Sequence, residues 1–163
     1  AWAMSVPGVG RVRIFPQALG ANTVEVCLVD PNMEPAGSEV IQAVQALIDP
    51  NKNGDGSGEA PIGAVCTVTT AERLEIAVSA SVTIAEEAEL GAVTEAVKAN
   101  LTDYLREIAF AKGVSYVSYA QITSRINATE GVLDHKDLTV NGGTSNVPLE
   151  DRQTPVLGEV HLT

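Results

Sequence analysis

The chain is poor in aromatic residues, which make up 4% of its 163 positions. A core must therefore be built from Val, Ile, Leu and Ala, a composition that suits β-strands and close packing of helices on a sheet. Cysteine is also scarce, with Cys27 and Cys66 each falling in a strand-like run. A single disulfide between them is one option. Two buried thiols in a reducing compartment are favoured, because cysteine behaves as a small core hydrophobe.

Positively charged residues are also few. The chain has 10 Lys and Arg against 21 Asp and Glu, so its net charge is −11 at pH 7. This acidity argues against binding to nucleic acid or to an anionic membrane surface, since both need a basic face. It permits basic protein partners, although a solvated acidic surface is the simpler explanation.

Long apolar runs are missing as well. No run approaches the roughly 20 residues that span a bilayer, and no basic region followed by an apolar one marks a signal peptide near the start. Because the chain begins at Ala1 with a helix-like stretch already in progress, we expect it to be a fragment of a longer protein.

What the chain does contain is a pattern that occurs twice: a Gly-Val pair closes a helix-like stretch, and two β-type runs follow. The pairs are Gly8-Val9 and Gly131-Val132. Alternation of apolar and polar residues predicts strands at residues 10–15, 23–29, 64–70, 72–84, 137–140 and 158–162. Apolar residues at helical spacing predict three helices. The first is capped by Ser38 and ended by Pro50, and the second is opened by Glu86, Glu87 and Glu89 and stopped by Gly113. The third begins with a capping box of Ser118 and Gln121.

The predicted order is thus ββαβ followed by βααββ, an internally repeated α+β building block. Each half has a helix that crosses over a sheet, which is typical of ferredoxin-like or split α/β sandwich folds. The long strand 72–84 has one polar face, which favours mainly antiparallel sheets. We therefore predict two α+β halves, residues 1–70 and residues 71–163.

The segment Asn51–Gly58 resembles a calcium loop, because oxygen-bearing side chains alternate around Gly54. The twelfth position of such a loop, counted from Asp49, should be a bidentate Glu, but Ala60 stands there. A strand is also predicted to follow, where an exiting helix is required. A polar turn is the favoured interpretation, and a small cation-binding module using this loop is the alternative function.

Catalytic motifs are not found. His135 and His161 are the only histidines, and no Ser or Cys lies in a motif that activates a nucleophile. No phosphate-binding or dinucleotide-binding glycine motif is present. The sequons that begin at Asn100 and Asn127 fall in predicted helices and are taken as chance matches. We therefore predict no enzyme activity and no catalytic, cofactor-binding or metal-binding residues.

Two regions are candidate contact surfaces. The segment Asn141–Asp151 is long, rich in Gly and Asn, and predicted to be a loop, and long loops in compact domains are often functional. The second region is the exposed strand face that carries Arg11, Arg13 and Glu25. Surface loops and strand faces exist in most domains, so a plain solvated surface is an equal alternative.

Several short phrases, in a fixed order, resemble one known family. They are Ser5-Val6-Pro7-Gly8-Val9, the run 45–50 (QALIDP), the run 60–65 (APIGAV), the run 130–134 (EGVLD), Asn146-Val147 and the run 155–160 (PVLGEV). In this order and spacing the chain resembles the middle and C-terminal regions of the baseplate J-like family, which supplies wedge proteins to the baseplates of contractile-tailed phages, prophages and related particles.

The resemblance implies a structural role without catalytic residues to carry over. It implies that the chain assembles by contacts with other baseplate and tail proteins, with its own copies as a further option. It also implies a location in the virion tail after synthesis in the cytoplasm of the bacterial host.

Overall fold

The computed structural model describes residues 2–163, and its main elements follow the predicted order ββαβ and βααββ. Two strands of two residues each, which the sequence did not predict, are added in the second half. A short 3₁₀ helix, Ala3–Ser5, precedes β1 (Arg11–Pro16), β2 (Thr23–Val29), α1 (Ser38–Ile48), β3 (Val65–Thr70), β4 (Glu72–Ile84), α2 (Leu90–Ile108), β5 (Tyr116–Val117), α3 (Tyr119–Asn127), β6 (Val132–Val140), β7 (Val147–Pro148) and β8 (Gln153–Leu162).

The chain divides into two compact units. The first comprises the described residues up to Arg73 together with Arg152–Thr154, and the second comprises Leu74–Asp151 and Pro155–Thr163. The first unit therefore takes a short segment from far along the chain. No helix among residues 2–163 is long and apolar enough to cross a membrane.

In the first unit, β2 is the central strand of a three-stranded sheet with the order β1-β2-β3. The pair β1–β2 is antiparallel, whereas β2–β3 is parallel, because α1 carries the chain back before β3 begins. The apolar face of the sheet packs against α1. The core of this unit consists of Ala3, Val26, Leu28, Ala36, Val44, Ile48, Ala60, Cys66 and Val68.

In the second unit, β4 is the central strand of a sheet with the order β6-β4-β8. The pair β4–β6 is antiparallel. Beside β8, the Thr163 amide donates to the Ala80 carbonyl and the Val82 amide donates to the Thr163 carbonyl, which is the parallel pattern. The core of this unit consists of Ile76, Val78, Ala80, Val93, Val97, Leu101, Tyr104, Leu105, Val117, Ile122, Ile126, Leu138, Val140 and Leu162.

Both units contain a similar three-stranded sheet, but the chain contributes the strands to each sheet in a different order. Each sheet has a central strand with one antiparallel and one parallel neighbour. After Gly8-Val9 the next two strands pair with each other, but after Gly131-Val132 the strands β6 and β8 lie on opposite sides of β4. The α+β prediction is confirmed, and the predicted antiparallel pairing is joined by a parallel pair in each sheet.

Two predicted helix starts were wrong. Helix α1 has Gly37 at its N-cap, so Ser38 is its first residue and makes no capping hydrogen bond. Helix α2 begins at Leu90, because a turn closed by the Ala88 amide and the Ala85 carbonyl holds Glu86 and Glu87 before the helix, and Glu89 is its N-cap residue. The predicted cap at Ser118 is confirmed, since its hydroxyl accepts from the Gln121 amide at 3.2 Å. The reciprocal half of the capping box was wrong, because the Ser118 amide donates to the Tyr104 hydroxyl at 2.9 Å.

Candidate functional site

The predicted cation loop is organised around Asp49, which is buried at the C-terminal end of α1. Its carboxylate accepts hydrogen bonds from the amides of Asn53, Gly54 and Cys66 at 3.4, 3.2 and 3.0 Å. The carboxylate that would open a calcium loop is thus occupied by backbone donors. Its contacts join the loop to the first residues of β3.

The exposed part of this loop is closed by its own side chains. The Asn51 amide group donates to Asp55 Oδ2 at 2.8 Å and to Ser57 Oγ at 3.2 Å, and the Ser57 amide donates to Asp55 Oδ1 at 2.9 Å. Hydrogen bonds, first from the Ser57 hydroxyl and then from Asn51, hold the pKa of Asp55 well below its usual range. The side chains that alternate along the loop therefore bond to one another.

Gln45 and Gly58 fix the same loop to α1. The buried Gln45 side chain donates to the carbonyls of Asp49 and Cys66 at 2.6 and 2.9 Å, and it accepts from the Val68 amide at 2.9 Å. A Cβ on Gly58 would come within 2.4 Å of the Ile48 carbonyl oxygen, so only glycine lets the loop pass the helix end this closely. Among residues 2–163, no three His, Cys, Asp or Glu side chains form a group that could hold a metal ion.

The two cysteines are free thiols on opposite faces of the first sheet. Cys27 lies opposite Thr69, whereas Cys66 lies opposite Val24 on the face that packs against α1. Side chains on opposite faces of a sheet cannot be bridged, which excludes the disulfide option. Burial raises the pKa of both thiols, so both stay protonated at neutral pH and neither is an activated nucleophile.

An ion pair between a buried carboxylate and a half-exposed guanidinium lies on the face of the first sheet that carries Cys27. Glu25 is 7% exposed, and its carboxylate accepts from Arg152 Nη2 at 2.5 Å, from Arg152 Nε at 3.2 Å and from the Thr69 hydroxyl at 2.9 Å. The guanidinium also lies over the Phe15 ring, 4.3 Å from its centroid. The hydrogen bond from Arg152 is the main cause of the lowered pKa of Glu25.

This arrangement corrects the predicted contact face. Glu25 was expected to be exposed beside Arg11 and Arg13, but it is buried and paired within the first unit. Its partner is 127 residues away in sequence, so no local pattern could identify Arg152. The available signal was that Glu25 shares its strand face with the apolar residues Cys27 and Val29, both fully buried, because a buried carboxylate requires a partner.

The two histidines lie in different strands. His135 lies in β6, where its Nδ1 is 2.8 Å from Asn127 Oδ1, and His161 is exposed in β8. Both sequon asparagines lie in helices, as predicted. The Asn100 amide group donates to the Thr129 hydroxyl at 2.8 Å, which joins α2 to the turn that follows α3.

The predicted loop Asn141–Asp151 is held tightly to the second unit. Asn146 Oδ1 accepts from the Tyr119 amide at 2.9 Å at the start of α3, and β7 pairs with β5. The buried Leu149 follows, and its amide donates to the Ser115 carbonyl at 2.9 Å. The segment is therefore an ordered surface element, and its use as a contact region stays a prediction.

Two family models match consecutive parts of the chain. The Baseplate J-like central domain matches residues 1–70, and the Baseplate J-like protein C-terminal domain matches residues 76–163. The matches follow each other in the family's own order and leave only a short gap between them. The chain therefore belongs to the baseplate J-like family.

Two proteins of Bacillus subtilis (strain 168) are similar to the chain along almost all of its length. They are the phage-like element PBSX protein XkdT and the protein YqbT, each 34% identical over 161 residues. Each match covers 99% of this chain and 45% of the relative, so the chain spans slightly less than half the length of these relatives.

A solved structure has a similar fold. It is the six-fold symmetrised cryo-EM structure of the anti-feeding prophage (AFP) baseplate, in which one chain aligns with a TM-score of 0.56 and 13% identity. The alignment covers 94% of this chain and 34% of the other. At this identity the likeness shows the fold alone.

We expect Asp49→Ala to lower the free energy of unfolding by about 2–3 kcal/mol, because it leaves three amides without their charged acceptor. Urea unfolding of the whole chain, followed by circular dichroism, measures the change. Asp55→Ala is the control, because Asp55 is exposed and bonds only to its own loop, so its loss should be clearly smaller than that of Asp49→Ala. Equal losses for the two variants would contradict the role given to Asp49.

We expect Arg152→Ala to destabilise the first unit at neutral pH, because it leaves the buried Glu25 carboxylate without its cation. Since the pKa of Glu25 is lowered from its ordinary value of 4.5, the pair stabilises the unit above that pH. The stabilisation disappears as the pH falls through the lowered pKa, so the variant should approach the wild type in acid. Amide hydrogen exchange along β2 at neutral and acidic pH measures both effects.

Arg73→Ala is the matched control for this pH dependence. Arg73 and Arg152 have equally exposed side chains, at 45%, but the partner of Arg73 is Glu34, which is 44% exposed, against 9% for Glu25. An ion pair between exposed groups contributes less than about 1 kcal/mol. The role given to the Glu25–Arg152 pair would be contradicted if Arg152→Ala lowered the stability of the first unit no more than Arg73→Ala does. A loss of stability that does not depend on pH would contradict it as well.

Proposed function

We propose that this chain is a structural building block of the baseplate of a contractile tail, in a phage or a prophage-derived particle. The observation that carries the proposal is the pair of family matches, central domain then C-terminal domain, which together span nearly the whole chain. On this proposal the protein works by holding rigid surfaces against its neighbours in the wedge. No bond is made or broken.

The chemistry of the described residues supports an assembly role. The buried carboxylates of Asp49 and Glu25 are occupied by structural hydrogen bonds. Both thiols are buried, and their pKa values are raised. An active site needs titratable groups that converge at an accessible cavity, and these groups are instead dispersed and engaged.

We further propose that the partners are other baseplate and tail proteins, with a second copy of the chain as an additional one. The net charge of −11 disfavours nucleic acid and anionic membranes as partners. The proposed location is the tail of the virion, after synthesis in the host cytoplasm. The division into residues 1–70 and 71–163 is proposed as the domain organisation, with the addition that Arg152–Thr154 complete the first unit.

The test is immunogold electron microscopy of contractile tail particles from the source organism, with an antibody raised against this chain. We expect label confined to the distal end of the tail, where a baseplate lies. Particles from a strain that lacks the gene are the control, and we expect these to carry no label and to be incompletely assembled. Intact particles without label, together with denatured particles that lack the polypeptide, would overturn the proposal.

A further inference from the structure

A groove of about 530 Å³ lies in the second unit, at the N-terminal end of α2. Its floor is made of small side chains: Ala88, Ala92 and Ala96 recur at intervals of four residues, so the two alanines within α2 share one face of the helix. Gly131 closes one side, where a Cβ would come within 3.0 Å of a Val93 methyl carbon. With such short side chains, another backbone can approach this helix closely.

The rim of the groove is acidic. Glu87, Glu89 and Glu130 line it, and all three are exposed. Within residues 2–163 none of the three forms an ion pair, although the chain pairs other glutamates with arginine or lysine. Leu90, which is 40% exposed, adds an apolar side chain at the first residue of α2, next to Glu89.

The positive end of the α2 dipole attracts carboxylates, but none of the three rim glutamates caps the helix. Glu89 is the N-cap residue but makes no capping hydrogen bond with its side chain, and the first turn of α2 contains no acidic residue. Glu130 comes from the connection between α3 and β6, far from Glu87 in sequence. The fold thus brings carboxylates from two separate segments to the rim of one groove with an apolar floor.

We propose that this groove is a docking site for a basic, amphipathic helical segment of another protein. Charge complementarity selects the occupant: Lys or Arg side chains would pair with the three rim carboxylates, and small or apolar side chains would lie on the alanine floor. The inference rests on the proposed assembly role, in which such a segment belongs to a neighbouring tail protein. It adds where that neighbour binds and what chemistry it presents.

The test uses the whole chain labelled with ¹⁵N and a synthetic amphipathic helical peptide with Leu and Ala on one face and Lys on the other. We expect saturable binding by NMR titration, with the largest shifts at the amides of Ala88, Ala92 and Ala96, and affinity that falls as salt is added. The same peptide with Glu in place of Lys should not bind. Absence of saturable binding, or shifts centred elsewhere, would overturn the proposal.

Two sets of variants separate the groove from the general acidity of the chain. The variant Glu87→Gln/Glu89→Gln/Glu130→Gln should weaken binding about tenfold, because it removes exposed charge pairs of modest strength. The matched control Glu39→Gln/Glu59→Gln/Glu159→Gln neutralises three exposed glutamates that do not line the groove, and it should leave the affinity unchanged. Equal weakening by both sets would overturn the docking site.

Ala92→Arg tests the groove floor by filling it with a long cationic side chain. Ala92 is exposed on α2 and Arg is a good helix former, so we expect the fold to be kept, with a circular dichroism spectrum like that of the wild type. Loss of peptide binding in this folded variant supports the groove. Wild-type affinity in it would contradict the proposal.

The same rim variant in the native gene distinguishes this inference from the proposed function. If wild-type protein is found in tail particles and the rim variant is incorporated equally well, the docking site is wrong and the baseplate role stands. If incorporation falls only for the rim variant, the docking site is supported. If the wild-type protein itself is absent from the particles, the baseplate role fails, and the neighbouring tail protein named in this inference fails with it.

Discussion

The ion pair between Glu25 and Arg152 is the interaction that joins the first unit to the most distant segment of the chain within it. A carboxylate in the middle of β2 would be costly to bury alone, and its cation comes from a segment 127 residues further along the chain. The same segment also provides the Arg152 carbonyl to the Glu72 amide and the Thr154 hydroxyl to the Met33 carbonyl. The first unit is therefore complete only when the C-terminal part of the chain has been made.

The polar residues that attract notice in the sequence serve the architecture. Asp49 and Gln45 join a glycine-rich loop to α1 and β3, and Asn146 attaches a long surface segment to α3. Each places a polar side chain where it satisfies backbone groups that secondary structure leaves without partners. These hydrogen bonds hold the two loops in fixed positions. Rigidity is what a protein needs if its surfaces must meet several neighbours in a fixed geometry, and it agrees with membership of the baseplate J-like family.

Local patterns predicted the elements well, because alternation and helical spacing reflect burial directly. The strand β4 and the cap at Ser118 are examples. The pattern could not predict that α2 begins at Leu90, since Glu86 and Glu87 lie in a turn outside the helix and Glu89 is the N-cap residue. It also could not predict that β4 lies between β6 and β8, or that Arg152 partners Glu25. These features depend on contacts between distant segments, and such contacts produce no periodic pattern in the sequence.

The central claim is that this chain is part of a contractile-tail baseplate. A cryo-EM map of intact tail particles from the source organism tests it most directly. The account predicts density near the distal end of the tail, repeated around the tail axis, into which each of the two three-stranded units fits with its own helices. A well-resolved baseplate map in which neither unit fits any density would contradict it.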